Sequence, residues 1–352
     1  MSKIHRIIQL IINGEIAVGA FLYFLVKNKF PMGKRIIKIL NFGNRKYNTI
    51  ALVGQEDAIK IEINTYDRMG QVVHPDVVKV DSGDNQKFVL AINPYPFSDD
   101  QHENPCIYIS KNGIDWTSSI SDEVPAPLAL PTDTKEYYTH LSDPDIIYSD
   151  NKFFLYYRES FLGQNVEFDK IYRIESFNLR TWTEPENVLT TDPNSEVLSP
   201  AAVEVSGDYF VFAVLVKNGV KSLIRFSDSG TGLVNKTRVE ILNIPVGREL
   251  WHLDIIYHTN ILKGLFLFKN IDHEQRGFDY TLYYGESNDE GMSWIIVGDP
   301  IIRETGKKCI KHIYRASMVP IDGNSFNLYF TAQTIFRRWN LYLIKNFVPK
   351  KV

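Results

Sequence analysis

A five-residue signature recurs five times along the chain and restricts the fold more than any other feature. It reads His74-Pro75-Asp76-Val77-Val78, Asp143-Pro144-Asp145-Ile146-Ile147, Ser199-Pro200-Ala201-Ala202-Val203, His252-Leu253-Asp254-Ile255-Ile256 and Arg315-Ala316-Ser317-Met318-Val319. Successive copies start 69, 56, 53 and 63 residues apart. A period of that size implies a unit that cannot bury its own apolar face and must stack on its neighbours. Aromatic-rich runs follow each copy, among them KFVLAI (87–92), KFFLYY (152–157), YFVFAVL (209–215), GLFLFK (264–269) and FNLYFTA (326–332). Such residues suit a pleated surface, and Ser206-Gly207 and Asp322-Gly323 fall at hairpin distance. No helical periodicity of comparable length follows Lys38.

A second element repeats in phase with the first: Ser110 to Trp116, Ser176 to Trp182, Ser227 to Leu233 and Ser287 to Trp294. An Asp or Asn that bonds nearby amides, a Gly suited to positive φ and a Trp that packs between sheets make this a hairpin turn with a structural duty. Five units with room for four strands each predict an all-β, five-bladed β-propeller over residues 46–348. The fifth unit ends near Asn346, one strand short. Either NTIALVG (48–54) or AIKIEI (58–63) is therefore expected to add the outer strand and close the ring, which removes an open edge.

In a propeller the first strand of each blade lines the axis, and residues two apart face the same way. His74 is thereby paired with Asp76, Asp143 with Asp145, Ser199 with Ala201, His252 with Asp254, and Arg315 with Ser317. Carboxylates, imidazoles and a guanidinium converge on one line, where burial without partners is costly, and this marks the mouth as the functional candidate. Pro75, Pro144 and Pro200 read as fixing the start of the strand.

Residues 1–40 stand apart from the repeats. Ile7 to Val26 is an apolar run flanked by Lys3, Arg6, Lys27 and Lys29. Its length suffices to cross a bilayer, but Glu15 near its centre would cost about 2.5–3.5 kcal/mol there. No small-residue cleavage site follows it. The expectation is a helical extension that anchors to a membrane or docks onto an assembly through residues 1–34. That favours a cell-surface, membrane-associated or virion location over a free cytoplasmic one. Composition narrows the rest. With 44% hydrophobic and 13% aromatic residues, the 352-residue chain can bury a large core. A balance of 39 Lys and Arg against 42 Asp and Glu argues against a general nucleic-acid binder. Cys106 and Cys309 form no local metal motif, and a single long-range disulfide between them is left open.

The five repeats, the Asp-Pro start in DPDIIYSDNKFFLYYRES (143–160) and the box turns resemble the five-bladed glycoside hydrolases of family 43 and the invertase–levansucrase–arabinanase superfamily. The turn Ser287–Trp294 is similar to the Asp box of sialidase-like propellers. The Asn93–Asp100 stretch and the Trp251–Asp254 strand also resemble uncharacterised bacterial and phage propellers. The resemblance implies a general base on blade one, an Asp on blade two that orients and tunes it, and a Glu on blade three that protonates the leaving oxygen. Asp143 matches the blade-two residue, with Asp145 beside it. His74 stands where the blade-one carboxylate belongs, so the base role moves to Asp76. Leu198 stands where the blade-three Glu belongs, which leaves Glu196 as the acid.

Around these, Arg158 and Arg315 are expected to hold acidic or hydroxyl groups of a sugar, and Trp251 to stack on a ring. His74, His252 and Asp254 complete the substrate set. Tyr95, Asp99, Asp100, His102 and Glu103 lie in a blade-one insertion that would overhang the mouth. No cofactor is firmly implied. His74, Asp76, Asp143, Asp145, His252 and Asp254 could ligate a divalent ion, and the oxygen-rich set favours calcium. Glycosidic hydrolysis of a surface polysaccharide or oligosaccharide is the leading expectation. A non-catalytic carbohydrate-binding or host-attachment module is the alternative.

Overall fold

Runs of alternating apolar residues, broken by Gly, Asn and Asp turns, fold into antiparallel blades around one axis. The computed structural model describes residues 50–52, 58–82, 85–121, 125–271, 280–304, 310–334 and 338–349. Among these, five innermost strands carry the five signatures: Val72–Ser82, Tyr138–Ser149, Ser195–Val205, Arg248–His258 and Ile310–Pro320. Each pairs with a second strand (Asn85–Pro94, Lys152–Leu162, Asp208–Lys217, Ile261–Asn270, Phe326–Thr334) and that with a third. Thr49–Val352 packs as one unit. The five-bladed propeller expected from the repeat is the observed architecture.

The ring closes with Ile59–Ile61, whose residues pair antiparallel with Leu343, Tyr342 and Leu341 as the outer strand of blade five. The other closing candidate does something different. Ile50–Leu52 pairs with Glu304, Arg303 and Ile302 on the edge of blade four. The apolar run 7–26, the basic residues after it and Cys309 lie outside the described residues. Cys106 is a buried free thiol. Among the described residues no helix is long and apolar enough to cross a membrane.

The core is divided among the blade interfaces. Val89 and Ile107 of blade one pack with Ile146 and Leu155 of blade two. Phe212 of blade three packs with Phe266 and Trp294 of blade four, and Val77 and Leu90 meet Ile61, Val319 and Leu341 at the closing seam. The repeated turns fasten these seams. Asn112 Oδ1 accepts the Ile114 and Asp115 amides at 2.9 Å, and Asp289 Oδ1 accepts the Ser293 amide at 2.9 Å. Trp294 is fully buried, edge-on to Phe212 and Phe266 at 6.0 and 5.1 Å.

Two glycines separate the backbone from the packing contribution. Gly207 lies at φ +94° with open space around it, whereas Gly291 lies at φ +80° with an added Cβ only 2.2 Å from Phe212. Gly207→Ala should cost about 1–2 kcal/mol for left-handed backbone alone. Gly291→Ala should cost a further ~1–3 kcal/mol, because the ring of Phe212 must be displaced from a packed seam. Urea unfolding of the two variants measures the difference, and equal losses would show that the seam yields freely.

Candidate functional site

The inner strands are not regular. Each carries a register shift at its signature: Val73/Asp76, Ser142/Asp145, Leu198/Ala201, Leu250/His252 and Ile313/Ala316. In three blades the residue before the proline takes left-handed backbone, with φ of 53° at His74, 51° at Asp143 and 49° at Ser199. Proline offers no ladder amide, so the bulge falls where pairing is lost anyway. The bulges present two tiers of side chains to the axis, the pairs two apart that the sequence implies.

The lower tier is Asp76, Asp145, Ala201, Asp254 and Ser317. It binds each blade to the next. Asp76 Oδ2 accepts the Ile146 amide, Asp145 Oδ2 the Ala202 amide at 2.7 Å, Asp254 Oδ2 the Met318 amide at 3.1 Å and Ser317 Oγ the Val77 amide at 3.0 Å. Ser317 Oγ also donates to Asp76 Oδ1 at 2.9 Å. Ala201 has no side-chain acceptor, so the series skips the step from blade three to blade four, and Arg315 of blade five holds blades two and three from across the axis instead. Fully buried, it crosses the axis to the Pro144 and Pro200 carbonyls at 3.0 Å and to Asp145 Oδ1 at 2.6 Å. Beneath this tier a cavity of about 490 Å³ is lined by the C-terminal halves of the inner strands, including Tyr148 and Tyr257.

These positions revise several expectations. Asp76, expected as the base, has both oxygens engaged in joining blades, and it lies a tier below the mouth. Asp145 and Asp254 share that placement. The Nη donors of Arg315 are committed to the protein rather than turned to a ligand. Trp251, expected to stack on a sugar, carries the ammonium groups of Lys221 and Lys269 at 4.2 and 4.1 Å from its ring centroid. It also packs against the cores on both sides of blade four.

The upper tier faces the mouth and differs in character. His74 Nε2 lies 3.4 Å, and His252 Nδ1 3.5 Å, from Asp143 Oδ1. Ser199 Oγ is hydrogen-bonded to the same His252 nitrogen. Both neighbours of His252 thus meet one ring nitrogen, which is not the geometry of a serine nucleophile relay. Burial drives His74 down to about 4 and His252 well below its ordinary value, although Asp143 opposes both. Burial alone would raise Asp143, but His74, His252 and Arg158 outweigh it and hold the carboxyl far below the usual range.

Arg158 ties this tier to Glu196. Its Nε sits 3.0 Å from Asp169 Oδ2, with Nη1 3.8 Å from Asp143 and Nη2 3.9 Å from Glu196. Asp169 is fixed in turn by Ser160 Oγ at 2.8 Å and the Val197 amide at 2.7 Å. The Glu196 side chain is 39% exposed, and partial burial raises its pKa despite Arg158. The sequence-predicted His74, Asp143, Arg158, Glu196 and His252 therefore meet at the mouth.

Two further residues stand there: Tyr314, which the sequence reading missed, and Glu103, expected only as part of the overhanging insertion. Tyr314 packs against His74 and His252 at 4.9 and 4.5 Å between centroids, carried by the wide bulge of blade five. Glu103 is buried, and desolvation, reinforced by Asp143, lifts its carboxyl well above the usual range. Its insertion is strapped down by Asn93 Nδ2 donating to the Glu103 carbonyl at 2.7 Å and by Trp339 Nε1 donating to Ser98 Oγ at 2.9 Å.

No family model and no curated protein sequence matches the chain. Solved structures do match in fold. An N-acetylgalactosamine deacetylase from F. plautii, determined with blood group B trisaccharide, is 16% identical with a TM-score of 0.62, over 85% of this chain and 94% of that one. A point mutant of the Cellvibrio cellulosa alpha-L-arabinanase is 16% identical with a TM-score of 0.55, over 81% of this chain and 92% of that one. A GH43 endo-arabinanase from Bacillus licheniformis is 16% identical with a TM-score of 0.52, over 78% and 93%. This chain shares their propeller fold.

The two tiers give stability opposite pH dependences. Burial, with Asp76 adding to it, raises Asp254 to about 8, so its contribution is full below the unfolded value near 4 and is lost as pH rises through about 8. His74, at about 4 in the fold, contributes above its unfolded value near 6.5 and loses that contribution as pH falls toward 4. Above pH 6.5 His74 no longer changes its contribution, while the raised carboxyls, Asp254 among them, still lose theirs, at up to about 1.4 kcal/mol per pH unit for each proton. The melting temperature should fall between pH 6.5 and 8, and Asp254→Asn should flatten that fall. An unchanged slope in the variant would place the proton elsewhere.

Proposed function

We propose that the propeller is a hydrolase that acts on a glycan at the axial mouth, with Glu196 as proton donor and Asp143 as the charge that orients the groups around it. One observation carries this reading. A buried, ionised Asp143 and a half-exposed Glu196 of raised pKa flank a single guanidinium, that of Arg158. An acid must hold its proton near neutrality and still reach solvent, and partial burial of a Glu meets both needs. Fold neighbours that act on or hold saccharides, such as the arabinanase solved with arabinohexaose, support a glycan as the ligand.

Blade one shapes the chemistry. With His74 where the family 43 enzymes are expected to hold a base, and Asp76 engaged in joining blades, the base belongs to the upper-tier imidazoles. A glycan-binding module without turnover is the second reading, favoured by Leu198 at the position where those enzymes are expected to carry their acid. Membrane or assembly contact through residues 1–34 is part of this proposal as well, because a surface-held glycan is best met by a surface-held protein.

The test is a product assay on bacterial surface glycans, arabinans and aryl-glycosides. Wild-type protein should shorten a glycan with multiple turnovers, and Glu196→Gln should lower kcat by about 10²–10⁴-fold, the usual contribution of a positioned acid. Asp143→Asn should lower it comparably. Retention of glycan with no product would favour the binding module. Release of acetate without chain shortening would move the cleaved bond to an acyl substituent, the chemistry named for the F. plautii neighbour.

A further inference from the structure

Three atoms of the upper tier stand out among the buried polar groups. His74 Nε2, Asp143 Oδ1 and His252 Nε2 are buried, and none has a hydrogen-bond partner among the described residues. One donor atom from each of the three residues can be chosen so that all lie within 4.8 Å of one another. Buried polar atoms without a hydrogen bond are expensive in a low-dielectric interior unless something else satisfies them.

We propose that His74, Asp143 and His252 bind one divalent ion of the zinc class at the axial mouth. The spacing suits it. Two donors about 2.1 Å from a tetrahedral ion lie about 3.4 Å apart, and His74 Nε2 stands 3.4 Å from Asp143 Oδ1, with a donor atom of His252 within 4.8 Å of a donor on each. Two nitrogens and one oxygen form a borderline donor set that favours zinc or a first-row transition ion, whereas calcium takes six to eight oxygens. The calcium expected from six pooled residues therefore gives way to a different ion on three of them.

The surroundings also suit ligation. Ligation through His252 Nε2 leaves its Nδ1 proton to the Ser199 hydroxyl, a protein contact that fixes the ring. Without metal, the Asp143 amide donates to His74 Nδ1 over 3.3 Å. Ligation through His74 Nε2 moves the proton to Nδ1 and gives up that long amide bond; Asn93 lies beside the ring. The lower-tier group Asp76, Asp145 and Asp254 has comparable spacing, but its oxygens are taken by amides, Ser317 and Arg315, and it carries no such proposal.

The metal would occupy the imidazoles that the proposed hydrolase uses as its base, so it competes with that role, and its readout is kept separate from activity. Full-length protein is stripped with chelator, then titrated calorimetrically with zinc and, in parallel, with calcium. Zinc should bind at one equivalent and raise the melting temperature, with calcium at least 100-fold weaker. His252→Gln and Asp143→Asn should each weaken zinc by at least 100-fold and abolish the ligand-field absorption of the cobalt(II)-substituted protein. Asp254→Asn, in the lower tier, should bind as wild type. If His252→Gln does not fold, the cobalt spectrum of the wild type still reports whether nitrogen donors hold the ion. Zinc binding that survives both substitutions, a preference for calcium, or no binding would overturn the site. Metal binding without glycan turnover would sink the hydrolase and leave the metal, and glycan turnover by protein that binds no zinc would sink the metal and leave the hydrolase.

Discussion

The propeller depends on one contact repeated around its axis: a side chain near the start of each inner strand accepts a backbone amide of the next blade. Asp76, Asp145, Asp254 and Ser317 make it to Ile146, Ala202, Met318 and Val77. A ladder hydrogen bond mostly joins strands within a blade, whereas apolar packing and side-chain bonds such as these join one blade to another. Packing is tolerant of small slips, whereas a carboxylate aimed at a single amide is not. The ring therefore sets the rotational register of the blades. Blade three breaks the series with Ala201, and Arg315 of blade five ties that blade in by another route, through the Pro200 carbonyl. Its positive charge also offsets part of the repulsion among three carboxylates held close together.

The mouth inherits its geometry from that ring. Because the stapling residue lies two positions after the upper-tier residue, fixing one fixes where the other projects. The tiers are equally buried yet chemically unlike. In the lower one, donors and acceptors are matched, so burial raises the carboxyl pKa values and little is left to react. In the upper one, acceptors outnumber donors, and burial produces neutral imidazoles around an ionised Asp143. Satisfaction of polar groups, rather than depth, separates structure from chemistry here.

Much of this is legible in the sequence because period and parity are properties of the backbone. The five signatures set the number of blades, and residues two apart set the pairs His74 with Asp76 and Asp143 with Asp145. Parity does not reveal which of two inward carboxylates meets an amide of the next blade, because that depends on a contact about 70 residues away. Asp76 reads as a chemical group for that reason. Glu103 is legible only in part: its insertion is expected over the mouth, but nothing local shows which of its side chains is buried there. Tyr314 reaches the mouth through an irregular pairing that no alternation pattern encodes.

Backbone strain completes the division between the tiers. His74, Asp143 and Ser199 hold left-handed backbone directly before a proline, a conformation that costs about 1–3 kcal/mol at each non-glycine residue. Relaxing any one of them would swing its side chain out of the upper tier, and would also shift the staple or the Pro200 carbonyl contact just after it. The amide bonds of Asp76 and Asp145 and the hold of Arg315 on the Pro144 and Pro200 carbonyls oppose that relaxation at all three positions. The lower tier thus serves the upper one by a mechanical route. It keeps strained residues from settling, and in doing so holds the His74, Asp143 and His252 donors at a spacing that their own chain would not adopt.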